Sequence, residues 1–167
     1  MDTTLLDHKW FWGPGSDHMI KPLDKPLDIY YQSVGRGCVL LLNATPDVSG
    51  VIPESHVKRY QEFGDAIGRI YENRKGETSG KRHTLEMSFG KAAAVTHVVT
   101  MEDIRHGQIV RSYEVDGLID GTWRKLAEGT SIGYKRIDVV ASTVLEGLRL
   151  HVTQSVGQPV IKSFAAY

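Results

Sequence analysis

The chain reads as an α/β segment followed by an all-β one: the last two β/α units of a (β/α)8 barrel over residues 1–75, then an antiparallel, jelly-roll-like β-sandwich over residues 76–167. Three observations predict this. Cys38-Val-Leu-Leu-Leu-Asn43 is apolar up to Asn43 and lies between two stretches of helical periodicity. The polar segment Gly76-Glu-Thr-Ser-Gly-Lys81 marks a change of composition, and beyond it helical spacing gives way to short alternating runs separated by glycine-rich turns. A whole barrel needs about 250 residues, so a chain of 167 residues can hold only part of one beside a sandwich.

Taken in order, residues 3–12 begin as a strand, and Gly13-Pro14-Gly15-Ser16-Asp17 ends it with turn residues. Pro26 suits a first helical turn, where its missing N–H costs nothing. Leu27, Tyr30, Tyr31 and Val34 then share one helical face, and Gly35 closes the helix. The run from Cys38 to Asn43 lacks alternation and is expected to be buried on both faces, as parallel strands are. A second helix follows from about Pro53 to Glu72, with Val57, Tyr60, Phe63, Gly64, Ile67, Ile70 and Tyr71 as its apolar stripe. Gly76–Lys81 reads as a linker. Leu85, Met87 and Phe89 share one strand face, and runs 95–101, 110–115, 123–126, 133–140, 148–152 and 160–164 complete a sandwich of short strands.

Composition excludes several classes. Twenty basic and twenty acidic residues give zero net charge, and with a pI of about 7.1 no nucleic-acid partner is expected. Cys38 is the single cysteine, so neither an internal disulfide nor a thiolate zinc site can form. The seven histidines show no metal-site spacing, so a zinc role is not expected. The longest apolar run is far too short for a bilayer, and the first residues carry no basic region followed by an apolar one, so neither membrane anchor nor leader is expected.

Several motifs agree in order and spacing with one family. Trp10-Phe-Trp12, Tyr30-Tyr31, Ser33-Val-Gly-Arg-Gly37, Leu40-Leu-Leu-Asn43, Pro46-Asp47, Gly50-Val-Ile-Pro-Glu54 and Glu62-Phe-Gly-Asp-Ala-Ile67 resemble the C-terminal end of the catalytic barrel of α-L-fucosidases, glycoside hydrolase family 29. Glu102-Asp-Ile104, Gly107-Gln108, Trp123, Leu126-Ala-Glu-Gly-Thr130 and Ile132-Gly-Tyr-Lys-Arg-Ile137 resemble the C-terminal sandwich of the same enzymes. The resemblance implies retaining hydrolysis of terminal α-L-fucosyl bonds, with fucosylated glycans as substrates and no cofactor. It implies a nucleophile and an acid/base carboxylate about 5 Å apart. In the family the nucleophile lies on an earlier barrel strand, and the acid/base is expected before the segment matching Asp2–Leu6 or on another loop outside this chain, so no catalytic residue is assigned here and the chain is expected to be inactive alone. The missing N-terminal barrel portion is thereby an expected partner. Enzymes of this family are often secreted, periplasmic or lysosomal.

Substrate lies at the C-terminal ends of barrel strands. Trp10 and Trp12 follow the first strand and Asn43 ends the second, so these three are the substrate-proximal candidates. Indole faces can stack on a pyranose or pack beneath a loop; Asn43 can bond a loop or a sugar. Arg36 precedes its strand and reads as structural, while Gly35 and Gly37 read as positive-φ turn positions. Glu102 and Asp103 suit either an exposed turn or a calcium site. An alternative function is a non-catalytic carbohydrate-binding sandwich with Tyr113, Trp123 and Tyr134 as its platform; a sandwich that only braces the barrel is a third.

Overall fold

The computed structural model describes residues 1–167. The chain divides into two units, residues 1–34 with 38–70, and residues 35–37 with 71–167.

In the first unit, β1 (Asp2–Thr4) and β2 (Leu41–Asn43) pair in parallel, Thr3 opposite Leu42. Parallel neighbours need a long crossover, and here it contains a short 3₁₀ turn (Ser16–Met19) and α1 (Asp24–Ser33). Pro26 lies in the first turn of α1, as its fixed φ favours, and Tyr30 is buried on the inner face. The Tyr30 ring meets Phe63 edge-on at 6.2 Å, which ties α1 to α2 (Glu54–Tyr71). The carbonyl of Pro53 accepts the amides of His56 and Val57, both at 3.0 Å, and so starts α2. Lys21 closes the end of β1, donating to the carbonyls of Thr4 at 2.7 Å and Leu6 at 2.9 Å.

The expected burial of Cys38–Asn43 on both faces does not occur. Regular pairing covers only Leu41–Asn43, and Val39 and Leu41 are 73% and 61% exposed. A strand is covered on both sides only when further strands and helices flank it, and β2 has β1 alone as a hydrogen-bonded neighbour. In α2 the stripe is half-buried except for Val57 and Gly64, which are exposed, and His56 is the one fully enclosed residue of the helix.

The second unit is one six-stranded antiparallel sheet, ordered β3-β8-β4-β7-β5-β6. Its strands are β3 (Gly76–Gly80), β4 (Thr84–Glu102), β5 (Val110–Ile119), β6 (Thr122–Gly129), β7 (Arg136–Ser155) and β8 (Ile161–Ala166). The sheet folds over itself, which is consistent with a β-sandwich. The first half of β4 pairs with the second half of β7, and the second half of β4 pairs with both the start of β7 and β8. β3 hydrogen-bonds only to β8, yet a Cβ on Gly76 would lie 2.7 Å from Met87 Sδ on β4, a contact across the core. Leu85, Met87, Phe89, Val98, Tyr113, Leu145, Leu148, Leu150 and Phe164 fill that core.

Three sequence expectations change here. Gly76–Gly80 is an edge strand, not a linker. Residues 85–89 and 95–101 belong to one strand, as do 133–140 and 148–152 in large part, because bulges near Ser88–Ala93 and Val95–His97 bend the ladder without breaking it. Only Gly37 of the Gly35/Gly37 pair has positive φ, +79°. Gly35 is glycine for space, since a Cβ there would sit 3.2 Å from the Ile137 Cβ.

Candidate functional site

Trp10, Trp12 and Asn43 line one cavity of about 390 Å³, together with Phe11 and the loop Ala44–Val48. The cavity opens where β2 ends, and its walls are held by side chains from two directions. Asn43 Nδ2 donates to the carbonyl of Trp10 at 3.0 Å, so the amide fixes the aromatic loop instead of pointing freely into the space. Tyr60, on α2, donates its hydroxyl to the carbonyls of Asn43 at 2.7 Å and Leu42 at 3.2 Å. Burial pushes that phenol up to about 12, so it stays a donor at every ordinary pH.

The loop beyond Asn43 is rigid for local reasons. Thr45 is buried, its Oγ1 3.3 Å from Nδ1 of the fully buried His56. Asp47 Oδ1 accepts the Ser49 hydroxyl at 2.6 Å and its amide at 2.8 Å, with the Val51 amide at 3.4 Å. These bonds, the Ser49 hydroxyl first, hold the Asp47 carboxyl below the usual range. Gly50, at φ +83°, closes the turn with its amide on the Asp47 carbonyl at 3.0 Å.

The resulting surface is aromatic. Trp10 is 50% exposed and Phe11 84% exposed, and Asp47 is the only carboxylate in the wall. A single carboxylate, already occupied by its own loop, cannot provide the acid and nucleophile pair of a retaining glycosidase. Sequence reasoning did not find Phe11, Thr45, His56 or Tyr60. Phe11 lies inside the Trp-Phe-Trp motif itself, and the four-residue spacing of His56 and Tyr60 places both on one face of α2.

The other candidates scatter. Arg36 is exposed in the turn before β2 and does not line the cavity. Glu102 is not at an exposed turn: it is buried, and its carboxylate accepts the amides of Ile109 at 2.6 Å, Val110 at 3.0 Å and Gly133 at 3.3 Å. Asp103 pairs with Arg105 through both carboxylate oxygens. No group of three or more His, Cys, Asp or Glu side chains is placed to share a metal ion. Tyr113 is fully buried with its hydroxyl on Asp138 at 2.8 Å, and Trp123 carries the Arg149 guanidinium 4.6 Å above its ring. The platform of Tyr113, Trp123 and Tyr134 therefore does not exist as an exposed surface.

No protein-family model matches the chain. A rice protein (Oryza sativa subsp. japonica) provisionally named alpha-L-fucosidase 1 is 30% identical over 95% of this chain and 37% of its own length. A solved structure from Bacteroides thetaiotaomicron, provisionally named an alpha-L-fucosidase, is 35% identical with a TM-score of 0.93, over 99% of this chain and 39% of that one. The structure of a glycoside hydrolase 29 family member from an unknown rumen bacterium is 28% identical with a TM-score of 0.88, over 98% of this chain and 31% of that one. The chain thus spans under two-fifths of the length of these relatives. In sequence and in fold it corresponds to a C-terminal part of an α-L-fucosidase of glycoside hydrolase family 29.

Proposed function

We propose that this chain forms the closing part of an enzyme that hydrolyses terminal α-L-fucosyl bonds with retention of configuration, acting on fucosylated glycans. Residues 1–75 supply the last two β/α units of the catalytic barrel and residues 76–167 an accessory sandwich. The observation that carries this reading is the aromatic cavity at the end of β2, where the parallel β1-α1-β2 arrangement has its C-terminal edge. Barrel enzymes bind substrate at that edge. Trp10 and Trp12 offer faces to the apolar side of a pyranose, and Asn43 sets their loop.

The reacting carboxylates come from a preceding barrel portion. One would attack the anomeric carbon to form a glycosyl-enzyme while the other protonates the leaving oxygen; the second then removes a proton from the water that releases the sugar. What this chain contributes is the shape of the sugar pocket. The purified chain is accordingly inactive by itself. Incubation with an aryl α-L-fucoside beside a heat-killed control tests this: release of the aryl alcohol no faster than in the control is expected, and clear turnover would show that carboxylates within residues 1–167 carry the chemistry.

A further inference from the structure

A second cavity, of about 470 Å³, belongs wholly to the sandwich and has no part in the proposed reaction. Asp103, Ile104 and Arg105 line it from the loop after β4, Tyr134 from the loop before β7, and Lys162 from β8. Both loops are fixed by one residue. Buried Glu102 accepts amides from Ile109 and Val110 at the far end of the first loop, and from Gly133 beside Tyr134 in the second. Its own amide donates back to the Gly133 carbonyl at 2.9 Å. The first loop is further tied by the Asp103 amide to the Val160 carbonyl at 2.9 Å, and Gly133 turns the second at φ +66°. The walls are thus set before any ligand arrives, which reduces the ordering cost of binding.

The groups facing the space are of complementary kinds. Tyr134 is 56% exposed and shows a ring with a hydroxyl at its edge. Asp103 is fixed in place by Arg105, whose main-chain amide, Nε and Nη2 donate to its two oxygens at 2.6 to 3.2 Å, so only the acceptor capacity left beyond these bonds faces the space. Lys162 is a donor, as is the part of the Arg105 guanidinium that Asp103 does not engage. An aromatic face beside closely set acceptors and donors matches a pyranose, which has an apolar C–H face and neighbouring hydroxyls that each donate and accept. The carboxylates of Glu102 and Asp103 balance the cations of Arg105 and Lys162, so the cavity has no net charge to favour an anionic ligand.

We propose that this cavity is a binding site for a neutral pyranose, with Tyr134 stacking on the ring and Asp103, Arg105 and Lys162 bonding its hydroxyls. The choice of sugar as ligand rests on the glycosidase reading; the site itself is independent of the barrel and of turnover. It would hold part of a glycan to the enzyme through the sandwich.

The test uses isotope-labelled chain 1–167, titrated with methyl β-D-galactopyranoside, methyl β-D-glucopyranoside and sodium glucuronate, each followed by amide NMR shifts. Saturable shifts at Asp103, Tyr134 and Lys162 with a neutral glycoside are expected, with Kd on the order of millimolar. Tyr134→Ala and Asp103→Asn should each weaken binding by roughly tenfold or more, a loss of ~1.4 kcal/mol, while the remaining amide spectrum reports that the fold is intact. Shifts that do not saturate, shifts confined to other residues, or tighter binding of glucuronate than of both neutral sugars would overturn the proposal. Absence of fucoside turnover has no bearing on these outcomes, so failure of this site and failure of the fucosidase reading are separable.

Discussion

Asn43 and Trp10, 33 residues apart, are joined by a single hydrogen bond of 3.0 Å from the amide Nδ2 to the main-chain carbonyl. This bond links the end of β2 to the loop that carries both tryptophans. It makes Asn43 a residue that positions the aromatic wall.

Asn43→Ala should therefore act on the wall more than on the fold. A lost hydrogen bond in a partly exposed setting costs about 1 kcal/mol. Trp10 and Trp12 should become more accessible to acrylamide quenching while the circular dichroism of the sandwich is unchanged. Quenching identical to that of the parent chain would show that the bond does not hold the loop.

Tyr60→Phe removes the hydroxyl that serves the carbonyls of both Leu42 and Asn43. A destabilisation of about 1 to 2 kcal/mol is expected in urea unfolding. The same variant should lose the phenol titration near 12 assigned to Tyr60, which ultraviolet difference spectra can follow.

Glu102→Ala leaves three amides, those of Ile109, Val110 and Gly133, without their acceptor. Removing a buried charged acceptor that serves several donors should cost roughly 3 kcal/mol. The damage should be local, with hydrogen exchange accelerated first at Ile109 and Gly133. Glu102→Gln, which keeps one carbonyl oxygen, should recover part of the loss.

Asp103 sets a specific acid dependence. Hydrogen bonds from Arg105 lower its carboxyl from the ordinary 3.8 to about 2. A carboxylate depressed by folding stabilises the native loop above its unfolded value, and that contribution fades as pH falls from about 4 through about 2. Carboxyl carbon NMR should place the Asp103 midpoint near 2, and Arg105→Ala should return it toward the ordinary value.

Gly147→Ala probes the bend of the sheet. A Cβ there would stand 2.5 Å from the Met87 carbonyl oxygen, a main-chain atom that cannot move aside alone. The β4–β7 ladder would have to shift, and a loss of at least ~3 kcal/mol in thermal or urea unfolding is expected.

The strand faces of the second unit were legible because burial repeats every second residue: Leu85, Met87 and Phe89 alternate in the sequence and all three are buried. The length of β4 was not, because the bulge that carries the ladder past Gly90 and Lys91 is a property of its pairing with β7. Gly76–Gly80 looked like a linker because it is polar and flanked by glycine; the reason for Gly76 is the proximity of Met87, a long-range fact. Strand-end position, which is local information, grouped Trp10, Trp12 and Asn43, and the three line one cavity. The supports His56 and Tyr60 escaped because their partners, Thr45 and the carbonyls of Leu42 and Asn43, are reached only across the turn from β2 to α2.

On the proposed reading, residues 1–75 complete a fucosidase barrel and residues 76–167 accompany them as its sandwich. The direct measurement replaces the matching C-terminal part of the Bacteroides thetaiotaomicron relative with this chain and assays the chimera on an aryl α-L-fucoside, with the truncated relative as control. Turnover by the chimera above the truncated control is the result predicted. A soluble chimera that binds fucose no better than the truncated control and shows no turnover, beside an active intact relative, would contradict it.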